Sequence, residues 1–359
     1  MNGKERCLAA IQGRPVDRTP VFPLLMFFAA DRFGATYREF AANGHVLAQA
    51  QLKARETFDL DAITVCSDAF RVSADLGGEM VYPEDKTPYL AAPLVRSEAD
   101  LARAAAARER LGKPEGGAAG RMADRVRALE ELLRSAGEEC LVLGWIEMPF
   151  AEACNLCGVS EFLMMTYENP ILAHQVLEFA TDLNVDFARM QLEAGAPMIG
   201  AGDAAASLLS PRLFREFALP YERRVCSAIR DAGGLVKLHI CGDTTALLDG
   251  MVQSGADLFN VDHLVDFRLA RKTYGGAGKC FKGNIDPVAD MLMASPQVCA
   301  ERCRECLRLA EGASYMLSAG CEVPAGVADE VFRAFCNAPM QYNPSRSRAA
   351  GIETSSRPH

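Results

Sequence analysis

The sequence predicts an α/β protein, a parallel (β/α)8 TIM barrel in which one domain spans residues 1–340. Three observations predict this fold. Short apolar runs alternate with long amphipathic stretches, and this alternation repeats eight times along the chain. The runs are mostly apolar throughout, as expected of strands that are buried on both faces. The length of 359 residues suits one large barrel, because such barrels commonly exceed about 250 residues.

The predicted strands follow one another with uneven spacing. They are Thr19–Leu25, Leu60–Cys66, Cys140–Ile146, Pro197–Gly202, Leu235–Ile240, Asp257–Val261, Cys280–Asn284 and Tyr315–Ala319. The amphipathic stretches between them include Asn169–Ala194, Ser210–Ala232 and Pro296–Ala310, which we interpret as barrel helices.

The longest interval separates the second and third runs. We expect residues 68–139 to form an insertion on the rim of the barrel, with a lid as its candidate role. It holds two helical segments rich in Ala, Arg and Glu, and the glycine-rich piece Lys113–Gly120 is expected to link them. The polar, aperiodic residues 341–359 are expected to be a disordered tail.

Composition excludes several classes of function. The formal net charge of −9 argues against nucleic acid as a partner, since phosphate binding needs concentrated Lys and Arg. No uninterrupted apolar run reaches about 18 residues, so we expect no membrane span, and the first residues lack the apolar core of a signal peptide. Thirteen cysteines without a secretion signal indicate reduced thiols in a cytoplasmic protein, some of them able to bind metal.

Active sites of this fold lie at the carboxyl ends of the strands, so the residues that follow each run are the candidates. These residues are Asp68, Glu147, Asp203, His239 with Cys241, Asp262 with His263, Asn284 with Asp286, and Cys321. Asn284 and Asp286 lie in the segment GNIDP, where a proline follows, and are expected to shape a loop.

The segment KLHICGDTT carries the strongest local signal. His239 and Cys241 are two residues apart, so on an extended strand their side chains point the same way. Cys321 follows the eighth run, across the barrel mouth from the fifth. Two thiolates and one imidazole suit zinc and leave one coordination position open. On the residues alone, burial of His239 and Cys241 as ordinary strand residues stays an open alternative, because cysteine is often fully buried.

Two other cysteine groups have metal-like spacing. Cys299, Cys303 and Cys306 form C-x3-C-x2-C, the spacing of a cluster that cleaves S-adenosylmethionine, but they lie in a strongly helical stretch that begins with Ser-Pro. Spacings of four and three place them on one helix face, so we expect them to pack on the barrel. Cys154 and Cys157 form a C-x-x-C without a second pair, and packing, or a role near the third strand, is expected.

Several segments together resemble the uroporphyrinogen decarboxylase superfamily over nearly the whole chain. They are ERCLAAIQGRPVDRTPVFP, DAAASLLSPRLFREFALPYERRV, LHICGDTT, SGADLFNVDH, KGNIDP and LSAGCEVP. The resemblance implies a (β/α)8 barrel, in agreement with the eight runs. Decarboxylases of this superfamily carry an arginine-rich loop after the first strand, whereas the loop here, PLLMFFAADRFG, contains only Arg32. They also carry a histidine near the position of Cys321.

The pattern is similar to that of the zinc-dependent, corrinoid-linked methyltransferases of the superfamily, which have His-x-Cys and a distant Cys. The resemblance implies that His239, Cys241 and Cys321 are zinc ligands. It also implies methyl transfer between a corrinoid, carried by a separate protein, and a thiol such as coenzyme M. No Asp-x-His-x-x-Gly corrinoid signature occurs in this chain, so the corrinoid is expected to come from the partner.

Three acidic residues are candidate catalytic groups. Asp203 could orient a zinc ligand or handle a proton, and it could equally be a helix N-cap; Glu147 and Asp262 have the same two interpretations. Glu147 or Glu152 could fill the fourth zinc position when no substrate is bound.

Three alternatives stay open. The first is a donor-side corrinoid methyltransferase, in which zinc activates a methylated substrate. The second is a decarboxylase acting on a porphyrinogen or a smaller acid. The third is a non-catalytic corrinoid-binding or zinc-binding protein, although a closed structural zinc site usually has four protein ligands. The expected partners are a corrinoid protein and a small thiol or methyl donor, with no nucleic acid and no membrane, and a homodimer is compatible with the sequence.

Overall fold

The structure, a computed structural model, describes residues 1–111 and 120–342. Of the predicted linker Lys113–Gly120, only Gly120 is described. Of the predicted tail, only Gln341 and Tyr342 are described. The remainder of both segments lies outside the described residues.

Seven parallel strands form one curled sheet, and a short antiparallel hairpin stands apart from it. In chain order the strands are β1 (Ala62–Thr64), the hairpin strands β2 (Met80–Val81) and β3 (Tyr89–Leu90), β4 (Leu141–Glu147), β5 (Met198–Gly202), β6 (Leu235–His239), β7 (Leu258–Asn260), β8 (Cys280–Ile285) and β9 (Tyr315–Ala319). The sheet order is β1-β4-β5-β6-β7-β8-β9, so each strand pairs with the next barrel strand along the chain.

The first predicted run closes the ring without forming a regular strand. Val21 makes an isolated parallel bridge with Leu317 of β9, and the Val21 carbonyl accepts a hydrogen bond from the Asp61 N–H beside β1 (3.2 Å). The run therefore lies between β1 and β9. Pro20 and Pro23 interrupt it, and proline has no N–H to donate to a ladder. The eight predicted runs are confirmed as the wall of the barrel. The first run pairs with β9 through an isolated bridge and not through a regular ladder.

The helices surround the sheet. They are α1 (Gly3–Ile11), α2 (Phe27–Phe33), α3 (Tyr37–Ala42), α4 (Gly44–Phe58), α5 (Arg71–Asp75), α6 (Glu98–Arg108), α7 (Arg121–Ala136), α8 (Pro149–Cys157), α9 (Val159–Glu168), α10 (Pro170–Glu193), α11 (Pro211–Phe217), α12 (Leu219–Asp231), α13 (Leu248–Gln253), α14 (Phe267–Gly276), α15 (Pro296–Leu309) and α16 (Asp329–Gln341). Short 3₁₀ turns cover Ala204–Leu208 and Thr245–Leu247, and a π turn covers Pro287–Leu292. Within the described ranges, no helix combines the length and the apolar character that crossing a membrane requires.

Two of the predicted barrel helices match the structure closely, and the third is divided. The stretch Asn169–Ala194 is α10, and Pro296–Ala310 is α15. The stretch Ser210–Ala232 is two helices, α11 and α12, separated at Ala218. The break has a local cause: Pro220 stands in the first turn of α12, where its missing N–H costs nothing but where it cannot continue a preceding helix.

The two other cysteine groups pack inside helices. Cys299, Cys303 and Cys306 lie buried along one face of α15. Cys154 and Cys157 are likewise buried, in α8. The expectation that these thiols pack is therefore confirmed, since all five are buried.

The predicted rim insertion contains α5, the β2–β3 hairpin, α6 and α7. Arg121, the first residue of α7, donates to both carboxylate oxygens of Asp68 just beyond β1 (2.8 and 2.7 Å). Arg108 at the end of α6 donates to Asp182 and Asp186 of α10 (3.0 and 2.8 Å). The segment is thus tied to the barrel by ion pairs at both helices, and its role as a lid stays a prediction.

A buried carboxylate ties the first run to the rest of the barrel. Asp61 is 2% exposed and accepts hydrogen bonds from the guanidinium of Arg6, from that of Arg18 (2.6 Å) and from the Val21 N–H (2.7 Å). Two cations and one amide thus compensate for removing this charge from water. The interaction replaces, at this point of the ring, the hydrogen bonds that a regular first strand would make.

We expect Asp61→Asn to lower the free energy of unfolding by about 3 kcal/mol, because it leaves Arg6 and Arg18 without their shared buried anion. Urea unfolding followed by circular dichroism measures this. Asp59→Asn is the matched control: Asp59 is 80% exposed at φ +52°, a conformation that asparagine tolerates, so its effect should stay below about 0.5 kcal/mol. Equal stability of the two variants would contradict this role for Asp61.

Candidate metal centre

Three side chains with metal-binding atoms meet at the carboxyl ends of β6 and β9. The Cys241 Sγ lies 3.0 Å from His239 Nε2 and 3.6 Å from the Cys321 Sγ, and the Cys321 Sγ lies 3.6 Å from His239 Nε2. In residues 1–111 and 120–342, no other group of three His, Cys, Asp or Glu side chains brings its ligand atoms this close together. The predicted convergence of the fifth and eighth runs across the mouth is therefore what the structure has.

Glycines beside both cysteines make the approach of the strands possible. Gly242 has φ +88°, a left-handed conformation that turns the chain away directly after Cys241. At Gly320, a Cβ would lie 2.4 Å from the backbone nitrogen of His263, so only glycine lets the end of β9 come this near to the loop after β7. These two positions bring Cys241 and Cys321 to the same point.

A backbone carbonyl on the side away from the two sulfurs orients the imidazole of His239. Its Nδ1 faces the carbonyl oxygen of Asn260 (3.4 Å), and its Nε2 faces the two sulfurs. The Asn260 side chain in turn donates to the Gly320 carbonyl (3.2 Å). A metal-binding histidine commonly donates its second ring N–H to a carbonyl in this way, which leaves the other nitrogen free to bind.

The two thiols ionise as a pair. A hydrogen bond from Cys241, followed in size by one from His239, holds the pKa of the Cys321 thiol well below its usual range. The pKa of Cys241 is raised, because its proton is held by the Cys321 sulfur and because it is buried. The first proton therefore leaves the pair readily, and thiolate is the form that binds metal. This donor set, two sulfurs and one imidazole nitrogen, fits zinc with one position left over.

Asp262 supports the cluster through the backbone. Its two carboxylate oxygens accept hydrogen bonds from the N–H groups of Gly242 (2.9 Å) and Leu264 (3.0 Å). The first of these bonds fixes the turn that follows Cys241. The predicted loop-shaping role of Asn284 is confirmed, since its amide donates to the carbonyls of Asp262 (3.3 Å) and Val265 (2.7 Å).

Asp203 contacts the cluster through its main chain. Its N–H donates to the His239 carbonyl (2.8 Å), and its carboxylate accepts from the Ala151 N–H in the first turn of α8 (2.7 Å). The fully buried carboxyl of Glu222, from α12, acts on it electrostatically, and neither Glu222 oxygen has a hydrogen-bond partner among the described residues. Burial raises the pKa of both groups, that of Asp203 to about 7.

Two more buried carboxyls lie on the β4 side. Glu147 ends β4 and accepts hydrogen bonds from Arg71 (2.8 Å) and the Trp145 indole (3.3 Å), and burial raises its pKa to about 7. Glu152 in α8 accepts from the Ser73 hydroxyl (3.1 Å), and burial, followed by the charge of Glu147, raises its pKa to about 8. Neither carboxyl belongs to the group of three close ligand atoms.

Two of the buried charged residues that sequence reasoning missed bear on the site, one on a strand and one on a helix. Lys237 lies on β6, two residues before His239 and on the same face of the strand, with no exposed surface. Its Nζ lies 4.3 Å from the centre of the Trp145 ring, and burial lowers its pKa to about 8. Glu222 was the other. Each had a signal: a lysine inside the apolar run LVKLH, and a glutamate one helical turn before Cys226 on the buried face of α12.

Comparison with known proteins gives matches over nearly the whole chain. The family model described as uroporphyrinogen decarboxylase (URO-D) matches residues 2–342. A uroporphyrinogen decarboxylase of a Nostoc species is 30% identical over 94% of this chain and 96% of its own. The methylcobamide:CoM methyltransferase MtbA of Methanosarcina acetivorans is 28% identical over 89% of this chain and 92% of its own.

A solved structure confirms the barrel. A methyltransferase from Methanosarcina mazei superposes with a TM-score of 0.83 at 22% identity, covering 95% of this chain and 99% of its own. At that identity the likeness establishes the fold alone. The family match over nearly the full length leads to one conclusion: the chain belongs to the uroporphyrinogen decarboxylase family.

Proposed function

We propose that this protein is a zinc-dependent methyltransferase that moves a methyl group between a corrinoid, supplied by a partner protein, and a thiol such as coenzyme M. One observation carries the proposal: His239, Cys241 and Cys321 bring their ligand atoms within 4.8 Å of one another at the barrel mouth. The similarity to MtbA, named as a methylcobamide:CoM methyltransferase, supports the choice of reaction.

The proposed chemistry needs an electron-rich sulfur. Zinc, when bound, supplies a Lewis acid whose charge two thiolates have already neutralised, so that a substrate thiol binds as thiolate and stays nucleophilic toward a methyl group. The chain provides the geometry: Asn260 orients the imidazole of His239, and Asp262 holds the turn after Cys241. Three protein ligands leave the fourth position for the thiol.

The three acidic candidates have distinct proposed roles. We propose that Asp262 and Asp203 are positioning residues, which act through Gly242 and through the His239 main chain. Glu147, whose pKa of about 7 suits proton exchange near neutrality, is proposed to receive the thiol proton. Glu147 and Glu152 also remain the candidates for the fourth zinc position when no substrate is bound.

Decarboxylation is the second candidate function, since Nostoc uroporphyrinogen decarboxylase is among the relatives. A multiply carboxylated substrate requires several cations. Arg32 is the only arginine in the loop after the first run, and it is engaged: it donates to Asp329 (2.5 Å) and to the carbonyls of Ala325 and Val327. This commitment of Arg32 favours the methyltransferase.

We expect zinc to depend on the two cysteines of the cluster. Cys241→Ser and Cys321→Ser should lose most of the roughly one zinc bound per chain in protein purified without chelator, because a hydroxyl is a much poorer zinc ligand than a thiolate. Cys154→Ser, a buried thiol outside the cluster, is the matched control and should keep its zinc. Elemental analysis and circular dichroism measure metal and folding; full zinc retention in both cluster variants would refute the ligand assignment.

We expect Glu152→Gln to become more stable relative to the wild type as the pH rises. The folded protein raises the pKa of Glu152 from 4.5 to about 8, so the unfolded chain releases this proton at lower pH than the folded one does. The free energy of unfolding of the wild type therefore falls by on the order of 3 kcal/mol between about pH 5 and pH 8. The variant has no carboxyl at this position and does not show this decrease. Urea unfolding at pH 5 and pH 8 tests this, with exposed Glu168→Gln as control; parallel pH profiles would contradict it.

We expect the zinc-loaded enzyme to demethylate methylcobalamin with coenzyme M under anaerobic conditions, and not to decarboxylate uroporphyrinogen. The absorbance of methylcobalamin should fall as cob(I)alamin appears. Removing zinc should abolish the change, and adding zinc should restore it, because the thiol then binds again as thiolate.

Two outcomes separate the alternatives. If no common thiol supports demethylation, the thiol-acceptor half of the proposal is wrong, and methylation of cob(I)alamin by a methylated substrate becomes the reaction to measure. Formation of coproporphyrinogen at enzyme-like turnover would instead establish the decarboxylase.

A further inference from the structure

Lys237 is a buried ammonium group without a hydrogen-bond partner. Its residue has no exposed surface, and no described atom accepts a hydrogen bond from its Nζ. Lys282 on β8 is equally buried, but its Nζ donates to the Phe22 carbonyl (2.6 Å). A desolvated cation that lacks a partner is strongly unfavourable. The ring face of Trp145, 4.3 Å from the Nζ, compensates for only part of this cost. The position of Lys237 therefore calls for an anion.

Four titratable groups act on the pKa of Lys237, after the larger effect of burial. They follow or lie on four different strands: Cys66 beyond β1, Cys241 beyond β6, Cys321 beyond β9 and Glu147 on β4. One cation also interacts with Lys237: burial, followed by the charge of Lys237, lowers the pKa of Lys282 well below its usual value.

Two of these four groups offer no free negative charge. Burial raises the pKa of the Cys66 thiol well above its usual value, so Cys66 is neutral. Glu147 already pairs with the buried guanidinium of Arg71 (2.8 Å). The remaining groups are the sulfurs of Cys241 and Cys321, and Cys241 follows Lys237 by four residues on the same side of the chain.

The summed charge of the metal ion and its ligands shows when the Lys237 ammonium would neutralise the centre. Two thiolates, a neutral imidazole and a divalent ion sum to zero, so the three protein ligands alone give Lys237 nothing to neutralise. A neutral fourth ligand leaves the sum unchanged. A thiolate as the fourth ligand makes the centre −1, and the ammonium then restores neutrality inside a region of low dielectric constant, where unit charges interact strongly.

We propose that Lys237 is a positioning residue that makes the centre selective for an anionic fourth ligand, a thiolate, over a neutral one. This inference rests on the proposed metal site and names the class of ligand that the site takes. Lys237 acts from beneath the cluster and does not coordinate the ion; its contribution is electrostatic, through Cys241 and Cys321.

Cobalt(II)-substituted protein gives a test that does not require turnover. The visible absorption of the cobalt centre is titrated at one fixed pH with 2-mercaptoethanol, whose only charge on binding is the thiolate, and separately with imidazole, a neutral ligand. We expect Lys237→Met to raise the Kd of the thiol about tenfold and to leave the Kd of imidazole unchanged. Lys237→Gln is a second uncharged variant, and Lys282→Met controls for the loss of a buried barrel lysine and should affect the thiol less.

The possible results are distinguishable. A selective loss of thiol affinity in the two Lys237 variants supports the inference. Equal changes for thiol and imidazole, or no change for either, overturn it while leaving the proposed metal site intact. A wild-type protein that binds neither cobalt nor zinc overturns the proposed function, and this inference with it.

Discussion

Closure of the parallel sheet into a ring is the constraint on which the centre depends. His239 and Cys241 follow β6, whereas Cys321 follows β9, and two further strands lie between them in the sheet order. In a flat sheet these ends would be three strand spacings, about 14 Å, apart. Curling of the sheet and the close approach of Gly320 to the loop after β7 reduce this separation to a sulfur–sulfur distance of 3.6 Å. The ligand set is therefore a property of the closed barrel.

The same closure buries several charged groups, and many of them have a compensating partner. Asp61 at the amino-terminal side is satisfied by two arginines, and Glu147 pairs with Arg71. Asp203 and Glu222 lie buried together, and burial raises the pKa of both carboxyls. The Lys237 ammonium has no hydrogen-bond partner among the described residues. The proposed anionic ligand of the cluster would supply a counter-charge for Lys237, which connects this buried charge to the proposed chemistry.

Much of the fold could be predicted because its signals are local and repeated. Alternation of apolar runs and amphipathic stretches indicated the barrel, and position directly after a strand identified His239, Cys241 and Cys321. The parts that could not be predicted depend on single residues acting against a pattern. Prolines keep the first run from forming a regular strand, and another proline divides the stretch between α11 and α12. Lys237 and Glu222 were missed because a charged side chain inside an apolar pattern ordinarily indicates an exposed position.

We propose that these three residues form one metal site with a position open to a thiolate. Zinc K-edge X-ray absorption of the zinc-loaded protein tests this, because it counts ligands by type and distance. We expect two sulfurs at about 2.3 Å and one imidazole nitrogen at about 2.0 Å, with a third sulfur appearing when coenzyme M is added. A zinc shell made of oxygen and nitrogen, or a sulfur count that stays at two when the thiol is added at saturating concentration, would contradict it.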